Sequence, residues 1–505
     1  MSLAIVYSRA KVGVSAPLVT VEVHLSNGLP SFSIVGLPEA SVREAKDRVR
    51  SALLNGGFEF PARRITVNLA PADLPKEGGR FDLAIAVGIL AASEQVPQRL
   101  LSQLEFYGEL ALSGQLRAIV GILPATLAAN QAKRFAVVPL SNQNELALLG
   151  STPNRVAQQL LDVTGYLHGH DTLLAAQHAE TDAIVPTLDL VDVMGQPLAK
   201  RSLEVAAAGG HNLLFMGPPG TGKTMLASRL PTILPQLAIE KALEVAAVYS
   251  TSGLDISVQQ WLTPPFRSPH HSSSAVALVG GGSNPKPGDI SLAHHGILFL
   301  DELTEFERKV LDSLREPMES GSISISRAAG KVTFPAQFQL VAALNPSPCG
   351  DIGEHSRSTP QQILKYLAKL SGPLLDRFDL TVDVPRLPQG SLTKPPAQGE
   401  TSAQVRCRVN AAREIMLARC GVINAQLSSK QIKEHCCLSA LDMKFLEQAI
   451  ERLNLSMRAY HRILKVARTL ADLQGAVNIE QPQLAEALSY RAMDRLMQSL
   501  QRSSF

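Results

Sequence analysis

Gly217-Pro218-Pro219-Gly220-Thr221-Gly222-Lys223-Thr224 decides the fold of this chain, because it matches G-x-x-x-x-G-K-[ST] and follows the short apolar run Leu213-Leu214-Phe215-Met216. In such a loop the glycines turn successive backbone N–H groups inward around a β-phosphate, Lys223 reaches the β/γ oxygens, and the Thr224 hydroxyl ligates Mg2+. The apolar run predicts a strand and Met225 to Leu230 a helix, which is the setting the motif requires. Ile297-Leu298-Phe299-Leu300-Asp301-Glu302 reads as a buried strand ending in two acids, Asp301 suited to hold Mg2+ and Glu302 to polarise an attacking water. Leu340-Val341-Ala342-Ala343-Leu344-Asn345-Pro346 is another buried strand. Its Asn345 either orients that water and senses the γ-phosphate, or only begins a turn before Pro346.

The chain has 505 residues with 45% hydrophobic content, enough for about two to four domains. Lys+Arg of 48 against Asp+Glu of 45 leaves a formal charge of +3, so any contact with a polyanion has to be local. The five cysteines show no C-x-x-C pair or disulfide-like spacing, which suits a reducing cytoplasm. The first residues lack a secretory pattern, and no apolar run approaches about 18 residues, so the expectation is a cytoplasmic protein with no membrane partner.

The pattern divides the chain into three parts. Residues 1–175 alternate β-type runs (Val21 to Leu25, Ser31 to Val35, Arg64 to Leu69, Phe135 to Val138) with helical stretches at Glu39 to Gly56 and Phe81 to Glu94, an α/β pattern. The polar stretch from His168 to Pro186 lacks a period, and the linker is placed at 176–186. Residues 187–390 carry the nucleotide motifs, 391–402 form a Pro/Gly/Ser/Thr-rich linker, and 403–505 read as helices throughout.

The order of these motifs resembles the AAA+ ATPases, with Gly217 to Thr224 as Walker A, Asp301-Glu302 as Walker B and Asn345 as sensor 1. Arg315-Glu316-Pro317-Met318-Glu319, Phe266-Arg267-Ser268-Pro269-His270-His271-Ser272 and Leu374-Leu375-Asp376-Arg377-Phe378-Asp379-Leu380 are similar to the magnesium-chelatase-like clade. Within it, Gly36-Leu37-Pro38, Asn68 to Lys76 and Ser371-Gly372-Pro373 resemble the bacterial YifB/competence protein ComM family, and this resemblance spans nearly the whole chain. It implies an α/β AAA+ P-loop NTPase core with an α-helical lid, ATP and Mg2+ as cofactors, and a homo-hexameric ring with ATP at subunit interfaces. It also implies that Arg377 is the arginine finger for the neighbouring subunit and Arg458 is sensor 2. Each arginine has a competing reading as an ordinary surface ion-pair former, which their motif-like surroundings weigh against.

Two inserted segments bear on the substrate. Ile323 to Phe334 reads as two strands around a turn and resembles the hairpin before sensor 1, with Arg327 and Lys331 facing the pore. These residues either meet DNA phosphates or simply decorate a solvated tip. Gly280 to Gly288, carrying Lys286 as another DNA candidate, resembles the clade's helix-2 insert. Near it, His270 and His271 suggest metal, but neighbours on an extended chain point to opposite faces, which favours a structural role.

Pro75-Lys76-Glu77-Gly78-Gly79-Arg80-Phe81-Asp82, with Tyr107 to Leu110 and Val120 to Leu123, is similar to the Lon protease domain. The resemblance implies a Lon-protease-like (ribosomal S5 domain 2-like) α/β fold lacking the catalytic dyad, because Arg80 stands for the Ser and Leu123 or Ala125 for the Lys. Residues 1–180 carry as many acidic as basic side chains, so no positive field marks this part as a nucleic-acid platform. Relatives often have further cysteines after sensor 1; Ser347, Ser356 and Ser358 stand there, which leaves Cys349 without the partners of a metal site built from three or four thiolates. Three function classes follow. The first is a DNA-stimulated motor acting on single-stranded or branched DNA, which the resemblance ties to branch migration in natural transformation alongside recombination proteins. The others are a chelatase-type motor on a partner enzyme and an ATP-dependent protease or unfoldase, the last weakened by Arg80.

Overall fold

The structure is a computed structural model and describes residues 2–37, 39–150, 152–176, 188–282, 285–327, 330–352, 357–388, 399–453 and 455–502. The linkers read at 176–186 and 391–402 fall largely outside these residues.

In the N-terminal unit, Leu18–Ser26 alternates strictly, burying Val19, Val21, Val23 and Leu25 on one face as a period-two strand must. It pairs antiparallel with Ser2–Arg9 and with Arg64–Ala70 inside a mixed eight-stranded sheet. From one edge the sheet runs Leu174–Ala175, Arg155–Ala157, Phe135–Pro139, Leu104–Phe106, Ser2–Arg9, Leu18–Ser26, Arg64–Ala70, Ser31–Val35. The helix Asp82–Ala92 is buried at every residue, since its Leu/Ala/Ile/Val surface packs against the two central strands. Two expectations need correction. The helix read over 39–56 is two, Ala40–Arg43 and Ala45–Asn55, and Leu174–Ala175 pairs onto the sheet from within the polar stretch.

The core holds a five-stranded parallel sheet in the order Phe266–Arg267, Ile297–Leu300, Gln339–Leu344, Leu213–Met216, Leu380–Asp383. Leu213–Met216 and Ile297–Leu300 are buried at all positions, as parallel strands covered on both faces are. Each Phe in them, Phe215 and Phe299, contributes about 1.5–3 kcal/mol by burial. The chain leaves three adjacent strands at their carboxyl ends directly into Gly217, Asp301 and Asn345, the place where open parallel sheets bind ligands. The inserted hairpin pairs Ser322–Arg327 with Gly330–Pro335, burying Ile323, Ile325 and Phe334 at its base. Gly280–Gly281 and Lys286–Pro287 form the second.

From Ser402 the described chain is predominantly helical, and Thr401 and Ser428 start their helices with capping boxes to Gln404 and Gln431. Val405, Val409, Ile463, Leu464 and Tyr490 complete one apolar core with Leu203, Phe215 and Leu226 beside the P-loop. A buried polar network accompanies it. Asp472 accepts from Arg419 at 2.6 and 2.8 Å, from Asn424 at 2.8 Å and from Arg468 at 3.1 Å, while His211 bridges to Thr469 at 2.8 Å.

The N-terminal unit is docked on the core. Leu123 and Leu148 pack on Ala246 and Leu243 of the helix Ile239–Ser252, with Ile256, Val258 and Trp261 alongside. Ser250 Oγ accepts the Leu123 N–H at 3.3 Å and donates to Glu145. Among the described residues, no helix is long and apolar enough to cross a membrane.

Candidate active site

Gly217 follows Met216 with no room for a side chain, since a Cβ there would lie 2.2 Å from the Val384 carbonyl oxygen. Gly222 caps the helix Lys223–Ile233 at φ 89°, in the left-handed region that glycine enters without strain. The helix therefore begins two residues before the predicted Met225, which brings the Lys223 and Thr224 side chains into its first turn. Lys223 Nζ donates to the Gly217 carbonyl at 2.7 Å, to Pro218 at 2.8 Å and to Asn345 Oδ1 at 3.1 Å. Burial lowers its pKa, and the charges of Asp301 and Glu302 act against that. Thr224 Oγ1 lies 2.5 Å from Asp301 Oδ2. A hydroxyl and a carboxylate at one point are the oxygen donors that suit Mg2+, and the inward loop with its lysine suits a triphosphate, so the residues fit both ATP and the metal. Lys223, Thr224, Asp301 and Asn345 are thus brought together, with Pro218, Pro219, Gly220 and Thr221 forming the loop over them.

Glu302 has φ 51°, uncommon for a side-chain-bearing residue and strained by about 1–3 kcal/mol. Its carboxylate lies 3.1 Å from His271 Nδ1. The expectation that His270 and His271 face opposite ways is overturned. Their ring centroids are 4.1 Å apart, because the segment after Arg267 is not a strand and the alternation rule has no hold on it. His270 is fixed by Ser272, Oγ at 2.8 Å. Upstream, Arg267 is tied to Asp289 at 2.6 and 2.9 Å, just past the Lys286 hairpin. His271, read from the sequence as structural, is placed instead against the Walker B glutamate Glu302.

Arg377 pairs with Glu319, and its pKa is lowered by burial and by Arg458, Arg315 and Arg462. Arg458 is 75% exposed and 3.8 Å from Asp376. Among the described residues, neither makes a hydrogen bond or ion pair to the P-loop, Asp301 or Glu302 of its own chain. Lys286 and Lys331 are exposed on the two hairpins, and the Arg327 side chain lies outside the described residues. A further cluster, invisible to spacing, joins Glu244 to His294 at 3.2 Å and to His295 at 2.7 Å. Its ligand atoms lie within 4.8 Å of one another, as in metal sites. His294 Nδ1 accepts the Gln337 N–H at 3.1 Å, which leaves the proton on Nε2 facing Glu244, so this group is closed by hydrogen bonds.

Sheet order, P-loop and the acid-bearing strand define a P-loop ATPase of the AAA+ class. Residues 189–392 match magnesium chelatase, subunit ChlI; residues 21–142 match subunit ChlI of Mg-chelatase, and residues 399–491 its C-terminal part. The chain belongs to the YifB/ComM family of magnesium-chelatase-like AAA+ ATPases. It is 60% identical to competence protein ComM of Haemophilus influenzae over 506 residues, covering 99% of each chain. It is 53% identical to the uncharacterised protein YifB of Escherichia coli over 505 residues, again 99% of each. A shorter stretch is 29% identical to the DNA replication licensing factor mcm-6 of Caenorhabditis briggsae, over 36% of this chain and 20% of that one. The family implies ATP hydrolysis with Mg2+.

Proposed function

We propose that the chain is an ATP-driven DNA motor that works as a homo-hexameric ring and promotes branch migration of recombination intermediates during natural transformation. The observation that carries the ATPase part is the meeting of Thr224 with Asp301 and of Lys223 with Asn345 at the carboxyl ends of adjacent strands. Bound Mg2+ would neutralise charge on the phosphates. With nucleotide and metal bound, Lys223 would turn its ammonium to the β/γ oxygens, Thr224 and Asp301 would supply the metal's oxygen ligands, and Glu302 would take a proton from the attacking water. Asn345 orients that water, Arg377 serves the neighbour's site, and Arg458 acts from the lid at 403–505. Exposure of Lys286 and Lys331 on paired hairpins supports a DNA path, as do the names of ComM and of the licensing factor. Residues 1–175 are assigned the Lon-like fold without peptidase chemistry, and the setting is the cytoplasm with recombination proteins as partners.

A second reading, a chelatase-type or protein-remodelling ATPase acting on a partner, is favoured by the match of three separate segments to magnesium chelatase subunit ChlI. ATP hydrolysis measured with and without single-stranded and branched DNA separates the two. Several-fold stimulation absent from Glu302→Gln supports the motor; turnover indifferent to both DNAs refutes it and leaves the partner-directed reading.

A further inference from the structure

Among the described residues of the N-terminal unit, the buried Arg9 and the half-buried Arg48 are answered by carboxylates, whereas the buried Arg80 is not. Arg9 holds Glu105 through two bonds at 2.8 and 2.9 Å, and Arg48 holds Asp82 at 2.7 and 3.1 Å. Arg80 is 5% exposed, yet its one hydrogen bond among the described residues is a long 3.3 Å donation from Nη2 to the Gly121 carbonyl. Its Nε has no partner, and no carboxylate of the described residues lies within ion-pair distance. Burial pushes its pKa down to about 10, with Tyr107 and Glu77 acting against it. A buried charge without a counter-charge is destabilising by several kcal/mol, which an arriving anion offsets.

Other positive groups gather at the same point. Lys11 lays its stem on Gly121, where an added Cβ would stand 3.1 Å from Lys11 Cδ. Its ammonium is part-buried and feels Glu77, Arg80 and Lys286. The Lys11 loop also touches the second strand of the inserted hairpin: a Cβ on Gly13 would sit 2.7 Å from Val332 Cγ1 and 3.3 Å from the Thr333 carbonyl. Lys11 and Arg80 therefore meet at Gly121, where the N-terminal unit touches the inserted hairpin and the field of Lys286 reaches Lys11.

We propose that Lys11 and Arg80, with Lys286 of the core, form a phosphate-binding site at this seam, and that its ligand is a backbone phosphate of the nucleic-acid strand carried by the hairpins. The identity of the strand rests on the motor reading; the phosphate chemistry does not.

The test has two arms on the full chain. In the first, a labelled single-stranded oligonucleotide is titrated at several salt concentrations against the wild type, Arg80→Met, Lys11→Gln and Lys286→Gln. Each variant is expected to weaken binding and to lower the salt slope by about 0.7 per lost phosphate contact. In the second, inorganic phosphate is added during thermal melts in a Lys223→Ala background, which silences the P-loop. Phosphate is expected to raise the melting temperature there and to lose that effect when Arg80→Met or Lys11→Gln is added. Arg80→Met alone should melt no lower than wild type, because it removes an unpaired buried charge, and Lys11→Gln decides the matter if it does not. Loss in both arms supports the proposal. Loss in the phosphate arm alone, or a wild type that ignores the oligonucleotide, retains the site and removes nucleic acid as its ligand. Unchanged behaviour of Arg80→Met and Lys11→Gln in both arms overturns the site, and does so without touching the ATPase reading.

Discussion

Replacing His271 by Ala probes how the catalytic carboxylate is held. Glu302 lies 3.1 Å from His271 Nδ1, with the two side chains 52% and 36% exposed. A pair this open to water is worth about 0.5–1 kcal/mol, so it biases the carboxylate's position by about two- to five-fold and no more. If Glu302 must leave His271 to reach the attacking water, His271→Ala raises basal kcat by about that factor. KM for ATP is expected to stay put, because Lys223 and Thr224, the residues proposed to hold the nucleotide, do not touch His271. The assay is steady-state phosphate release across an ATP titration without DNA, run beside a His271→Ala/Glu302→Gln double variant that should be as inactive as Glu302→Gln alone. An unchanged kcat refutes the restraint. A fall of tenfold or more refutes it differently, by making His271 necessary for turnover.

Glu302→Gln itself should lower kcat by about 10²–10⁴ while leaving binding of a fluorescent ATP analogue intact; normal turnover would remove Glu302 from the base position. Asp472→Ala strands Arg419 and Arg468 in the helical core and should lower unfolding free energy by about 3–5 kcal/mol in denaturant titration, with a loss below about 1 kcal/mol contradicting the network. Acid should also loosen the core through His294, whose pKa burial and the neighbouring His295 lower to about 4. The unfolded ring takes up its proton near pH 6.5, so the unfolded state binds more protons between the two values and stability falls as pH drops through that window. The loss reaches about 2 kcal/mol at pH 5, and His294→Gln should flatten the melting temperature between pH 7 and 5.

What could be read along the chain was whatever neighbours in sequence decide. Leu213–Met216 and Ile297–Leu300 were found to the residue because uninterrupted apolar runs ending in Gly or acids have few other uses in a parallel sheet. The P-loop helix was read short, from Met225 to Leu230, whereas it starts at Lys223 and runs through Pro231 to Ile233. Relations across the fold stayed hidden. Glu244 meets His294 and His295 from about fifty positions away, His271 reaches Glu302 from an irregular segment, and Leu123 finds Ala246 across the seam. Periodicity and spacing carry no signal for any of these.

The docking seam bears on how the protein can be divided. Leu243, Ala246, Ile256, Val258 and Trp261 present an apolar face that Leu123, Leu127 and Leu148 cover. An ATPase module expressed from residue 188 onward would carry that face bare and be drawn toward self-association, so fragment work is best begun from the whole chain.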